Sequence, residues 1–248
     1  MNQSSTDEAV LRRVQLLKNV PLFTNLTELE LKKLVKDLHL KSYRANEIIF
    51  HQGDLGQEMF IILTGKVRIY KSSPSGEETT LTILSTYDVF GEFAVIDSKP
   101  RSATARAVGD ADLLAMSKDR FDIHFEELPG LARGVTNLLT HKLRWTAAYA
   151  AAVAQYDAAA RLLHILLLYY EKFGQKRTDG PGYELDLSLN QMELASVVGA
   201  RREWVNRLLR DWKKRGLLEY NAGKIIILDL PGVQAERDSR IQAQHPLW

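Results

Sequence analysis

Two segments of the chain carry residues whose types and spacing could do chemistry. The first is VFGEFAVIDSKPRSATA, residues 89–105. Gly91 permits close backbone approach, and the short apolar run from Glu92 to Ile96 can form one helical turn whose free N–H groups face an anion. Arg101 offers a forked guanidinium suited to a phosphate, with the Ser102 hydroxyl beside it. Glu92 can accept a hydrogen bond from a sugar hydroxyl. Buried in a small domain, such groups need partners, and a phosphorylated ligand supplies them. An internal Glu92–Arg101 salt bridge closing the loop accounts for the same residues, and on their chemistry alone the two readings stand equal.

The second segment is QMELASVVG, residues 191–199, followed by RREWVNRLLRDWKKR, residues 201–215. It reads as two helices joined at Gly199, where a tight turn needs left-handed backbone. Leu194, Val197 and Val198 make the buried side of the first helix. Val205, Leu208, Leu209 and Trp212 make that of the second, which leaves Arg202, Glu203, Asn206 and Arg207 to project. Such a helix suits a DNA major groove: Arg202 and Arg207 can each present two donors to guanine O6 and N7, and Glu203 can accept from cytosine N4. Arg201 precedes this set, and Lys213, Lys214 and Arg215 add sequence-blind attraction to phosphates. A helical hairpin with a charged exterior is the plainer alternative, and charge alone slightly favours it; the basic excess taken together with the helix pair and the following hairpin makes a winged DNA-binding module the better reading. The whole chain carries 33 Lys+Arg against 31 Asp+Glu, yet residues 201–224 hold eight Lys/Arg against three acids, leaving the remainder net negative.

Composition removes several function classes. The 248 residues include no cysteine, which excludes disulfides, thiolate metal sites, Fe–S clusters and a cysteine nucleophile. The six histidines (His39, His51, His124, His141, His164, His245) are scattered and read as surface or packing residues, so no metal is expected. No HExxH, GxSxG or phosphate-loop pattern occurs, and nothing suggests an enzyme. The opening MNQSSTDEAV has no basic start followed by an apolar run. The apolar stretch 147–170 is broken by Gln155, Asp157, Arg161 and His164. A cytoplasmic protein with no membrane partner is the expectation.

The elements that must position these residues follow from periodicity. Residues 7–36 read as helical, interrupted by Pro21, with Thr27 and Glu30 spaced as a capping box. From about Leu40 to Met116, EIIF, MFIILTG, KVRIYKS, TTLTILS and LLAMS alternate with turns at 53–56, 73–77 and 108–112, as in an antiparallel sandwich or barrel-like roll. After Pro129 a long helix begins, with Leu131, Val135, Leu138, Lys142, Trp145, Tyr149, Ala152 and Tyr156 at alternating spacings of four and three. That seam, broken only by Lys142, suits either a helix packed on its own domain or one paired with a second copy; since the small roll before it cannot obviously cover such a stripe, pairing and hence a homodimer is favoured. Asp157 opens a second domain with AARLLHILLLYYEKFG. A loop of little structure (QKRTDGPGY), a strand (ELDL), the two helices and a hairpin turning at Asn221-Ala222-Gly223 follow. The tail from Pro231 reads as poorly ordered. The expected class is α+β, divided as 1–128, 129–156, 157–230 and 231–248.

GEFAVIDSKPRSATA resembles the phosphate-binding cassette of cyclic-nucleotide-binding domains. The order of roll, long helix and helix-turn-helix is similar to that of the cyclic-AMP receptor protein/FNR superfamily of bacterial transcription regulators, over residues 20–230. The resemblance implies a winged helix-turn-helix and cAMP as allosteric ligand. Gly91 and Glu92 would make the backbone and ribose 2′-hydroxyl contacts, Arg101 and Ser102 the cyclic-phosphate contacts, and Thr146 would read adenine. Ala147 stands where the family uses a serine supplied by the partner subunit, so cGMP, a cyclic dinucleotide or no ligand at all are alternatives. Arg202, Glu203 and Arg207 match the set that reads TGTGA-like half-sites. The implied partners are palindromic double-stranded DNA, a second subunit and RNA polymerase. Arg201 and Trp204 replace smaller family residues there. A cyclic-nucleotide module that regulates a partner protein is the alternative from another class.

Overall fold

The computed structural model describes residues 3–187, 189–221 and 223–244. They form two compact units, 1–143 and 144–248. The first opens with helices α1 (Gln3–Leu17) and α2 (Glu28–Leu34). Thr27 caps α2 with the expected box: its N–H donates to Glu30 Oε2 at 2.7 Å and its hydroxyl accepts from the Glu30 N–H at 3.4 Å.

Strands β1 (His39–Tyr43), β2 (Ile48–Phe50), β3 (Glu58–Thr64), β4 (Val67–Ser72), β5 (Glu78–Leu84) and β6 (Val89–Phe90) follow. Then come helix α3 (Glu92–Asp97), β7 (Thr104–Ala107), β8 (Ala111–Ser117), α4 (Lys118–Glu127) and α5 (Pro129–Gln155). The strands make two four-stranded sheets, ordered β1-β8-β3-β6 and β2-β7-β4-β5. All of their pairings are antiparallel.

Alternation in β3 explains why its sequence is apolar from Met59 to Leu63. Phe60 and Ile62 enter the core between the sheets with Val67, Leu84, Phe90 and Leu113. Met59 and Ile61 face a second core built with Val14, Leu17, Leu31, Leu34 and Phe121 from the helices. A strand covered on both faces has no polar side. The rings of Phe50, Phe60 and Phe90 cluster with centroids 5.2–6.0 Å apart.

The seam read along α5 faces inward, which corrects the sequence expectation for this face. Leu131 and Val135 are buried in the helix-side core of the first unit, and Leu138 packs against it. Lys142, the apparent flaw in the stripe, is ion-paired to Glu92. In the second unit Trp145 packs on Tyr169, Tyr149 donates to a backbone carbonyl, Ala152 is fully buried and Tyr156 meets His164 edge-on. The chain covers its own stripe because α1, α2 and the second unit's helices supply apolar surface that periodicity could not reveal. The face left exposed carries Thr136, Thr140, Leu143, Ala147, Ala150 and Ala154, with Leu143 70% exposed.

The second unit continues with α6 (Ala158–Phe173), β9 (Gln175–Lys176), β10 (Tyr183–Asp186), α7 (Gln191–Val198), α8 (Arg202–Lys214), β11 (Leu218–Asn221), β12 (Lys224–Ile227) and α9 (Leu230–Gln244). Asp157 caps α6 through the Ala160 N–H at 2.6 Å. The four strands form one sheet, β11-β12-β10-β9, so the supposedly structureless loop begins with a short edge strand. The hairpin joins β11 to β12 in register, Leu218 opposite Ile227. Ala222 at its turn and His245 lie outside the described residues.

From Leu230 to Gln244 the chain is a helix rather than loose chain. Val233 is fully buried, and the Asp229 carboxylate accepts from the Gly232 N–H at 3.0 Å. Polar composition hid a helix that needs one buried valine and a set of ion pairs.

Candidate functional site

In the first unit β6 ends at Phe90, and Gly91 takes left-handed backbone (φ 75°) to start α3, the helical turn expected from the sequence. Glu92 is 3% exposed and Arg101 6%. Backbone bonds pin Arg101 to the loop after β2: its N–H donates to Asp54 O at 2.8 Å, and its carbonyl accepts from Gly53 N at 2.9 Å. The guanidinium donates to Gly91 O and Glu58 O, both at 2.6 Å. It lies 4.1 Å from the centroid of the Phe50 ring, a cation over an aromatic floor. Its buried Nε has no hydrogen-bond partner among the described residues.

The open alternative of an internal Glu92–Arg101 bridge is not what forms. Glu92 Oε1 is 2.6 Å from Lys142 Nζ, which also donates to Val89 O at 2.9 Å. Arg101 is thus left with carbonyl partners only. Burial lowers its pKa from the ordinary value, opposed by the more distant charges of Glu58, Glu92 and Asp54. A buried cation with a free donor and no hydrogen-bonded carboxylate is the electrostatic complement of an anion. Ser102, next along the chain, is exposed. Gly91, Glu92 and Arg101 therefore come together as expected. Lys142, which the sequence reading took for a seam defect, is the residue it missed here. Thr146 lies in the second unit on the exposed face of α5, beside Ala147.

In the second unit Asn190 and Glu193 cap α7 reciprocally, and Gly199 closes it with φ 63°. Val205, Leu209 and Trp212 anchor α8, while Arg201, Arg202, Glu203 and Arg207 are exposed. Asn206 is half-buried, and its Oδ1 has no partner among the described residues. A shallow depression along the helix is lined by Glu203, Asn206, Arg207, Arg210, Asp211 and Lys214. Arg210 and Lys214 extend the row 203, 207 at helical spacing, so continuing the period would have found Arg210 and ranked Lys214 above its neighbours. Lys213 is instead 3.4 Å from Glu219. Arg215 is ion-paired to Glu236 at 2.5 Å and to Asp211 at 3.3 Å.

The turn that orients α8 is held from elsewhere in this unit. Tyr149 Oη donates to Val197 O at 2.9 Å, and Arg161 donates to Val198 O at 2.7 Å. These carbonyls end α7, where the helix has no donors of its own. Arg161 also donates to Val153 O and Tyr156 O, each at 3.1 Å. No sequence pattern announces either residue.

Residues 40–127 match the family described as cyclic nucleotide-binding domain, and residues 160–236 match the Crp-like helix-turn-helix domain. The chain is 30% identical over 209 residues to the cyclic AMP receptor protein of Thermus thermophilus, covering 84% of this chain and 93% of that one. It is 28% identical over 215 residues to the CRP-like cAMP-activated global transcriptional regulator of Mycobacterium tuberculosis, covering 87% and 95%. A CooA variant from Carboxydothermus hydrogenoformans shares its structure at a TM-score of 0.68 with 25% identity, covering 82% and 88%. A β-roll of the nucleotide-binding kind and a helix-turn-helix on one chain define a DNA-binding regulator. The chain belongs to the CRP/FNR family of transcription regulators. No helix among the described residues is long and apolar enough to cross a membrane.

Proposed function

We propose that the protein is a homodimeric regulator that binds a cyclic nucleotide, cAMP first, and in response occupies a palindromic DNA site. The observation that carries this reading is Arg101: nearly fully buried, on an aromatic floor, with a free Nε–H and Glu92 nearby. Its guanidinium faces the cyclic phosphate with Ser102 alongside, and Glu92 accepts from the ribose hydroxyl. Thr146 reads the base. A hydroxyl that binds Glu92 must share its carboxylate with Lys142. Occupancy is thereby felt at α5, and the ligand shifts the protein by its differential affinity for two α5 arrangements.

The second subunit docks on the exposed α5 face, where Thr136, Thr140, Leu143, Ala147, Ala150 and Ala154 recur at the alternating spacing of a helix pair. Two copies of α8 then enter successive major grooves about 34 Å apart. Arg202, Glu203 and Arg207 read base edges, and Arg210 and Lys214 neutralise phosphates. Recruitment of RNA polymerase follows from the bound dimer.

Calorimetric titration with cAMP, cGMP and a cyclic dinucleotide, alongside anisotropy on a duplex of paired TGTGA half-sites, tests the reading. Tightened duplex binding with cAMP alone supports it, and the same operator affinity with every nucleotide overturns the sensor half. Ala147 motivates the second reading, a different nucleotide, because it removes a hydroxyl from the base-reading face.

A further inference from the structure

α9 closes a chain of charges that links the end of the DNA-facing helix to the start of α6. Arg215 caps the C-terminus of α8, and its guanidinium is 2.5 Å from Glu236 Oε2 on α9. The other carboxylate oxygen, Glu236 Oε1, is 2.8 Å from Arg240 Nε. Arg240 in turn reaches Asp157 Oδ2 at 3.6 Å, and the second oxygen of Asp157 caps α6. Glu236 is 12% exposed, and each of its oxygens is taken by a different arginine. Arg215 first, with Arg240, holds its carboxyl well below the usual range, at about 2. Isolated surface pairs contribute little, but a partly buried carboxylate shared by two guanidinia fixes three elements at once.

The opposite end of α8 is tied to the same place. Tyr149 and Arg161 hold the carbonyls of Val197 and Val198 at the turn, and Arg161 also binds Val153 and Tyr156. Both struts converge on residues 153–161, where α5 gives way to α6.

We propose that Glu236 is a positioning residue: through Arg215 and Arg240 it slaves the C-terminal end of α8 to the α5–α6 junction at Asp157, so that the pitch of the DNA-facing helix follows that junction. The assignment rests on α8 being the helix that meets DNA. Arg215 is then spent on the brace and touches no phosphate.

Amide hydrogen exchange on the full-length chain, without ligand, reads the brace. Glu236→Gln and Arg215→Gln should each speed exchange on the order of tenfold both at residues 213–217 and at 156–161, leaving the β-roll as in wild type. Arg215→Lys, which keeps the charge, should restore wild-type exchange at both places, as loss of mere local packing would not. If Glu236→Gln proves unfolded, the two Arg215 variants carry the comparison alone. On a random-sequence duplex Arg215→Gln should leave the salt slope of binding unchanged. Faster exchange confined to residues 230–244, or a slope reduced by about one unit, overturns the proposal. Neither measurement uses a nucleotide or a palindrome, so a failed sensor reading leaves it intact.

Discussion

Replacing Arg101 by leucine separates a sensing role from a structural one. The side chain makes two charge-assisted bonds to backbone carbonyls, Gly91 O and Glu58 O, each of which a bound phosphate would exchange for a stronger anionic partner. At about 1.5–3 kcal/mol per charged hydrogen bond, losing two costs a ligand about 3–6 kcal/mol. That is roughly a hundred- to ten-thousand-fold in affinity. The cost to the folded chain is smaller because two effects oppose. Leucine leaves the two carbonyls without those donors, but it removes a buried cation and packs on the Phe50 ring. The net change in stability should fall within about 1 kcal/mol. The assay is calorimetry with cAMP beside thermal unfolding. Wild type at a hundredfold excess over Kd gains about 2.7 kcal/mol from ligand, and Arg101→Leu at the same concentration gains no more than about 0.4 kcal/mol. Arg101→Lys should recover only part of the affinity, since a single ammonium lacks the fork. Unchanged nucleotide affinity in Arg101→Leu refutes the pocket assignment. An unfolded variant would mean that the two stranded carbonyls outweigh the relief of removing a buried cation, against the near-balance expected.

Arg207→Ala should relax base preference at one position of each half-site by about 1–3 kcal/mol, read by competition among single-base variants. A uniform loss across sequences would make Arg207 a phosphate contact. Lys214→Ala should lower the salt slope of binding by about one unit, and Lys213→Ala by less because Glu219 already engages that ammonium; equal slopes contradict the ordering. Leu143→Asp on the exposed α5 face should dissociate the proposed dimer in sedimentation, whereas an unshifted dimer mass would place the interface elsewhere. Glu236 has its folded pKa depressed from 4.5 to about 2, so its contribution is complete above 4.5 and fades as pH falls toward 2. Glu236→Gln should therefore be less stable than wild type by about 1–3 kcal/mol at pH 7 and no different near pH 2. A gap that persists at low pH would mean the carboxylate charge is not responsible.

Local chemistry was legible wherever it acts within a few residues. The Thr27–Glu30 cap, the start of α6 at Asp157 and the two helices around Gly199 each follow from side chains meeting backbone groups close by in sequence. So did the cassette, because the Gly91 turn, the Glu92 helix start and Arg101 lie within eleven consecutive positions. Lys142 was misjudged for the opposite reason. Its value as a partner of Glu92 depends on a fifty-residue separation being closed by the roll.

The α5 stripe marks the boundary between the two kinds of information. Apolar spacing shows that Leu131 through Tyr156 must be covered, since water will not solvate such a face cheaply. It does not say by what, because burial energy is non-directional and a second copy or the same chain serves equally well. Helix type, cap positions and the pattern of buried faces were therefore written in residue order. Partner choice along α5, the fate of Arg215, the folding of residues 230–244 and the hold of Tyr149 and Arg161 on the helix turn depended on contacts between residues far apart in the chain, which come into being only once each unit has packed.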